Sequence, residues 1–318
     1  MNTSDVVKAY LATRRAQGVQ IRSGAKTLRQ FARETGDLPL DTVTPQAVAT
    51  FLRGNGALSA TWTTKFRLLS GLYRFALHRD IATISPLPEL KPKLPPQQTP
   101  YVYTHDELRR LLDATTVVRA ANSALQATTY RTMLLLLYGA GLRISEAIGL
   151  TLTDVDLSEC LLTIRNAKFY KTRLVPIGPE LASALTTYYE QRSRLAQPMA
   201  RDSAFLCTRS GRQLMYKNVG PLFRRIRAAA GIVCPPNEPR PPRLHDLRHT
   251  AAVHRVLAWY RSGRDVQLLL PKLATYLGHA NITSTQRYLL MTPELMFEAS
   301  RRFETYALEG HNQESHHA

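Results

Sequence analysis

Acidic residues are scarce in this chain. Its 318 residues hold 24 Asp and Glu against 42 Lys and Arg, a formal charge of +18 with a pI near 10.2. Cysteine is scarcer still. Cys160, Cys207 and Cys234 are odd in number, widely spaced and without a CxxC pair, which argues against a disulfide framework or a thiolate metal site. They read as reduced core thiols of a cytoplasmic protein. Long apolar runs are missing too: the longest, Met133 to Tyr138, is far below the roughly 18 residues of a spanning helix, so no membrane is expected among the partners. The opening residues, MNTSDVVKAY, lack a basic stretch followed by an apolar one, and no export signal is expected. No internal repeat occurs, and residues 310–318 read as a disordered tail.

The composition is otherwise that of a globular protein, 44% hydrophobic and 21% charged, so the basic excess is not a mark of disorder. A charge of this size calls for a polyanion, and nucleic acid is the first candidate. The length suits two domains, each able to bury a core. Residues 1–100 carry 14 basic and 6 acidic residues, a net +8, and the rest carry 28 and 18, a net +10, so no single basic arm accounts for the excess. Between Ser85 and Pro100 six prolines remove backbone donors and favour extended chain, with Lys91 and Lys93 among them. This reads as a linker, 85–100, able to touch phosphates.

Ahead of the linker the pattern is helical. Ser4 is placed to cap a first helix, Thr44-Pro45 supplies a cap and a proline at N1 for a helix ending near Gly54, and Ser59 to Arg79 forms another. In the last of these Trp62, Phe66, Leu69, Tyr73 and Ala76 share a core face, while Lys65, Arg67, Arg74 and Arg79 lie elsewhere. Residues 1–84 are expected to form a four-helix DNA-binding domain with Lys65 and Arg67 among its contacts. Beyond the linker, Thr104 to Glu107 has capping-box spacing. Leu125 to Tyr138 is apolar on most sides and suits a central helix. Leu161–Arg165 and Arg173–Ile177 suit a β-hairpin whose turn holds Lys168 and Lys171, with Arg173 at its edge. From Pro179 onward the reading is helical apart from the proline-rich stretch 234–242. The whole is mainly α, an α-rich second domain carrying a small antiparallel sheet.

Four separated segments together carry chemistry: Gly141-Leu142-Arg143, the hairpin Lys168, the HDLRHT run with His245 and Arg248, and Leu277-Gly278-His279 followed nine residues later by Tyr288. Two arginines can fork onto the non-bridging oxygens of one phosphate, histidines can accept or donate protons, a lysine can protonate a leaving alkoxide and a tyrosine can attack. No metal and no cofactor is needed. A zinc hydrolase built on His245 and His249 is disfavoured, because the position after His245 is Asp246 and a guanidinium, Arg248, stands beside His249.

At these residues the chain resembles the tyrosine recombinase, or phage integrase, family. The resemblance spans Tyr101 to Phe303, and the N-terminal half is similar to the family's SAM-like core-binding domain. It implies a catalytic domain at 101–309. Carried over to the matching positions, GAGLRISEAIGL places one catalytic arginine at Arg143, AKFYKTRLVPIG places the lysine at Lys168 with Lys171 as the alternative, HDLRHT supplies His245 and Arg248, and YLGHANITSTQRY supplies His279 and the nucleophile Tyr288. The implied reaction is transesterification on double-stranded DNA: Tyr288 attacks, His245 takes its proton, Arg143, Arg248 and His279 hold the phosphate, and Lys168 protonates the departing 5′ oxygen. DNA contacts are expected from Lys65, Arg67, Lys91, Lys93, Lys171 and Arg173. The family further implies a homo-tetramer on paired sites, with an amphipathic C-terminal helix over 293–303 that either exchanges between copies or docks on its own domain, and with other recombinases or DNA-bending proteins as further partners; a mobile element is the expected setting, and integration, excision, transposition and resolution all stay open. Type IB topoisomerase-like relaxation and a non-catalytic DNA-binding regulator are the competing readings.

Overall fold

The computed structural model describes residues 1–19, 22–95, 99–118, 124–165, 172–195, 197–236, 240–279, 295, 297, 298, 300 and 301. The chain divides into two compact units, Met1–Gln98 and Thr99–Ala318.

The first unit contains α1 (Thr3–Ala16), α2 (Arg22–Glu34), α3 (Pro45–Arg53) and α4 (Ala60–Leu77). Its core joins Val6 and Val7 of α1, Leu28 and Phe31 of α2, Val48 and Phe51 of α3, and Trp62, Leu69 and Tyr73 of α4. The caps are local chemistry. The Thr44 hydroxyl accepts from the Ala47 amide, and Gly54 at φ 63 stops α3. Ser59 accepts from the Thr61 amide at the start of α4. Ser4 departs from its expected role. The helix begins at Thr3 with Asn2 at the cap position, two residues earlier than expected, and Ser4 donates its amide and hydroxyl to the Asp37 carboxylate at 2.6 and 2.8 Å. A distant aspartate therefore meets an orphan donor at the positive end of α1. The proline-rich stretch is no bare spacer, because Leu87 and Leu94 pack against this core.

The second unit opens with α5 (His105–Asp113), whose capping box between Thr104 and Glu107 is complete. The central helix α6 (Ala124–Gly139) buries Met133, Leu134, Leu136 and Leu137. After α7 (Ile144–Gly149) come β1 (Val155–Asp156), β2 (Leu161–Ile164) and β3 (Arg173–Pro176), an antiparallel sheet in the order β1-β2-β3. Leu162 pairs with Val175, both fully buried, which fixes the face turned to the core. Four helices follow: α8 (Pro179–Ser193), α9 (Tyr216–Ala229), α10 (Asp246–Arg261) and α11 (Val266–Leu277).

Two expectations are corrected here. Between α8 and α9 the chain is not helical but forms bridges, Thr151 with Ala204 and Cys207 with Gln213. Buried Arg192 holds this stretch by donating to the carbonyls of Pro198 and Ala204. Of the cysteines only Cys207 is a core residue, whereas Cys160 is half-buried in a turn at φ 52 and Cys234 is exposed. No described helix is long and apolar enough to cross a membrane.

Candidate active site

The site forms where the C-terminus of α11 meets the turn before α7 and the first turn of α10. Helix termini leave carbonyls without intrahelical partners and with partial negative charge. Here three consecutive ones are taken by three arginines from elsewhere in the chain. Arg173 Nε donates to the Tyr276 carbonyl at 3.1 Å, Arg248 Nη2 to that of Leu277, and Arg143 Nη2 to that of Gly278 at 2.7 Å. Arg248, 2% exposed, also donates through Nη1 to the carbonyl of Gly141 at 2.6 Å. Gly278 ends α11 in the left-handed region at φ +66, and a Cβ there would lie 2.9 Å from Arg173 Cζ. Gly141, at φ +59, would press a Cβ within 2.8 Å of Leu277. Both approaches need glycine.

Glu146, in the first turn of α7, ties the arginines together. Its Oε1 accepts from Arg143 Nη1 at 2.7 Å and Arg173 Nη1 at 2.9 Å, and its Oε2 accepts from the Arg143 amide at 2.9 Å and Arg173 Nη2 at 2.8 Å. Arg248 Nη1 stands 3.8 Å from Oε2. Burial alone would raise this carboxyl, but the hydrogen bonds from Arg173 and Arg143 outweigh it and hold the group down to about 2. Glu146 is thus ionised at every working pH and keeps the guanidinium groups spaced.

Three imidazoles complete the cluster. His245 lies just before α10 with its ring edge-on to His249, centroids 4.9 Å apart. Burial, then the charge of Arg248, lowers the pKa of His245. The same two effects with Arg143 take His279 down to about 4, and burial with His245 and Arg248 takes His249 to about 3. His245 and His279 are therefore neutral near pH 7, so each is able to accept a proton or donate one hydrogen bond. Among the described residues no three His, Cys, Asp or Glu side chains converge as a metal cage.

Of the residues singled out in the sequence, the structure brings Arg143, Arg248, His245 and His279 together. Lys168, Lys171 and Tyr288 lie outside the described residues. The DNA-contact reading of Arg173 is corrected: all three of its nitrogens donate inward and its side chain is only 12% exposed. Lys65 is half-buried, its Nζ 2.6 Å from the Phe51 carbonyl at the negative end of α3 and 4.4 Å from the Phe51 ring centroid, so it caps a helix. Lys91 rests on the Phe66 ring at 5.1 Å, while Arg67 and Lys93 are exposed. The sequence reading misses Glu146. The signal for it is an acid three residues after Arg143 in a chain poor in acids.

The phage integrase family matches residues 102–294. A protein of Sinorhizobium fredii named as an integrase/recombinase, y4rB, is 34% identical over 302 residues, which is 94% of this chain and 96% of that one. Among solved structures, the Tn1549 transposon integrase in complex with a circular intermediate DNA superposes with a TM-score of 0.66 at 19% identity, covering 91% of this chain and 95% of that one. A lambda integrase tetramer bound to a Holliday junction gives 0.64 at 17% identity over 89% and 79% of the two chains. The chain belongs to the phage integrase family, the tyrosine recombinases. It is a site-specific recombinase, a DNA strand transferase working by transesterification.

Proposed function

We propose that Tyr288 attacks the scissile phosphate and forms a 3′-phosphotyrosyl link, leaving a free 5′ hydroxyl that then attacks the partner strand's phosphotyrosine. The observation that carries this reading is the convergence of Arg143 and Arg248, two guanidinium groups from separate segments, on one carboxylate and one helix end. Such a pair suits the non-bridging oxygens of a single phosphate and offsets the charge that grows on them. Tyrosine is a weak nucleophile at neutral pH, since its ordinary pKa is about 10. Neutral His245 suits the removal of its proton, and neutral His279 suits a hydrogen bond to a phosphate oxygen. Lys168, in the sequence between β2 and β3, supplies the proton for the departing 5′ oxygen. The energy of the broken ester is kept in the phosphotyrosine, so rejoining needs no external source.

The partner is double-stranded DNA, and four copies act on two paired sites in the service of a mobile element. The solved integrases with junction and circular-intermediate DNA support this reading, as do the exposed Arg67 and Lys93 of the first unit. Exchange of the C-terminal helix would join the copies. Leu295 is buried beside Val253, Val256 and Leu270, and Glu298 pairs with Arg261 at 3.1 Å, contacts that a neighbour's helix would replace in the tetramer.

The nucleophile is tested on a nicked duplex carrying a site that the full chain selects from a random-sequence pool. The unsubstituted chain should give a covalent complex on a denaturing gel, and Tyr288→Phe should bind the duplex without one. A covalent complex with Tyr288→Phe would refute the assignment.

A further inference from the structure

Arg173 is an arginine that the mechanism above leaves without a task. It enters from β3, 27 residues beyond Glu146, and takes both carboxylate oxygens at 2.9 and 2.8 Å while its Nε holds the end of α11. Arg143 and Arg248 touch the same carboxylate more sparingly, Arg143 with one nitrogen of its side chain at 2.7 Å and Arg248 at 3.8 Å. Three guanidinium groups and one carboxylate share this pocket. The two remaining positive charges suit a phosphodiester, whose transition state carries about two negative ones.

Without Arg173 the balance changes. Glu146, buried and ionised, would draw Arg143 and Arg248 onto the oxygens that Arg173 now occupies, and those two charges would be neutralised inside the protein. We propose that Arg173 is a positioning residue for strand cleavage: its bidentate hold on Glu146 offsets that carboxylate, so that the charges of Arg143 and Arg248 stay directed at the scissile phosphate. This rests on the reading in which those two arginines grip the phosphate. Arg173 itself touches no DNA. It acts through Glu146 and through the Tyr276 carbonyl, where only a planar fork reaches both at once.

Single-turnover cleavage and duplex affinity, measured with the full chain on the selected nicked duplex, separate this role from its rivals. Arg173→Gln should slow formation of the covalent complex by about tenfold or more at saturating duplex while changing Kd by less than about twofold. Arg173→Lys keeps the charge without the fork and should fall between. Adding Glu146→Gln to the Arg173→Gln chain removes the uncompensated carboxylate and should recover much of the lost rate. That double variant also keeps the test open if Arg173→Gln alone does not fold, since losing both partners of a buried pair is milder than losing one. The proposal is overturned if Arg173→Gln weakens binding and lowers the salt slope by about one contact with the saturating rate intact, the mark of a phosphate ligand. It is equally overturned if the double variant cleaves no faster than Arg173→Gln. Unimpaired cleavage by Arg143→Lys and Arg248→Lys would instead sink the underlying reading of the site, whatever Arg173 does.

Discussion

Among the described residues of the N-terminal unit no lysine or arginine is buried, whereas the C-terminal unit encloses Arg192 and Arg248 outright and Arg173 almost fully. The two parts of the chain carry similar excess charge but use it in different ways. An exposed cation acts as part of a field: it is screened by salt and one position can stand in for another. A cation held among carbonyls and a carboxylate acts only at its fixed place, and its energy is that of a particular geometry. Lys65 is intermediate, half-buried with its ammonium group on the Phe51 ring, and the exposed Lys91 rests its ammonium group on the Phe66 ring.

This contrast is open to four tests, taken from the largest expected effect to the smallest. Arg248→Lys should lower the cleavage rate roughly 10²- to 10³-fold, because an ammonium cannot reach the Gly141 and Leu277 carbonyls and a phosphate together. Single-turnover rates with little change in duplex affinity would agree, and a variant that cleaved normally would put Arg248 in the general field instead.

Acid should damage the C-terminal unit first. His249 and His279 have pKa values of about 3 and 4 in the folded chain, below the ordinary 6.5 of the unfolded one. Between those values the unfolded chain binds more protons, so the contribution of these groups to stability falls as pH drops from about 6.5 to about 4 for His279 and to about 3 for His249, and is constant above. The N-terminal unit holds a single histidine, His78, which is exposed. Hydrogen exchange across this pH range should show amides of 99–279 losing protection before those of 1–95, and simultaneous loss would count against the burial of these imidazoles.

Gly278→Ala should cost about 2 kcal/mol in chemical denaturation, since a side chain is strained at φ +66 and its Cβ would displace Arg173. Cleavage should fall with it. Last, Arg67→Ala should weaken binding to all duplexes alike and lower the salt slope by about one, as measured by titration at several salt concentrations. An effect on the saturating rate larger than that on affinity would erase the distinction between the units.

Local signals are legible in the chain of residues itself. The capping box at Thr104, the Thr44-Pro45 helix start, the apolar α6 and the β2–β3 hairpin all lie where residue chemistry within a few positions predicts them. Arg143, Arg248 and His279 are recognisable because each sits in a short run that resembles a known family. The connections between them are not. Glu146 meets Arg173 across 27 positions, Arg143 meets Gly278 across 135, and Arg173 meets Tyr276 across 103. No periodicity or spacing encodes such partners. For that reason Arg173 reads as a DNA contact when its partners are unseen, and Ser4 reads as a helix cap although its partner Asp37 is 33 residues away.

The end of α11 has a consequence for how the protein can be rebuilt. A helix turns by about 100° and advances 1.5 Å with each residue. One residue inserted or removed between Val266 and Leu277 would swing the carbonyls of Tyr276, Leu277 and Gly278 away from all three guanidinium groups at once. The helix is in effect a ruler with a single permitted length. Chimaeras that splice this segment from another protein should join in the turn between Arg261 and Val266, where α10 has ended and α11 has not begun. Shuffled libraries should return in-frame length changes in that turn and none within the helix that follows it.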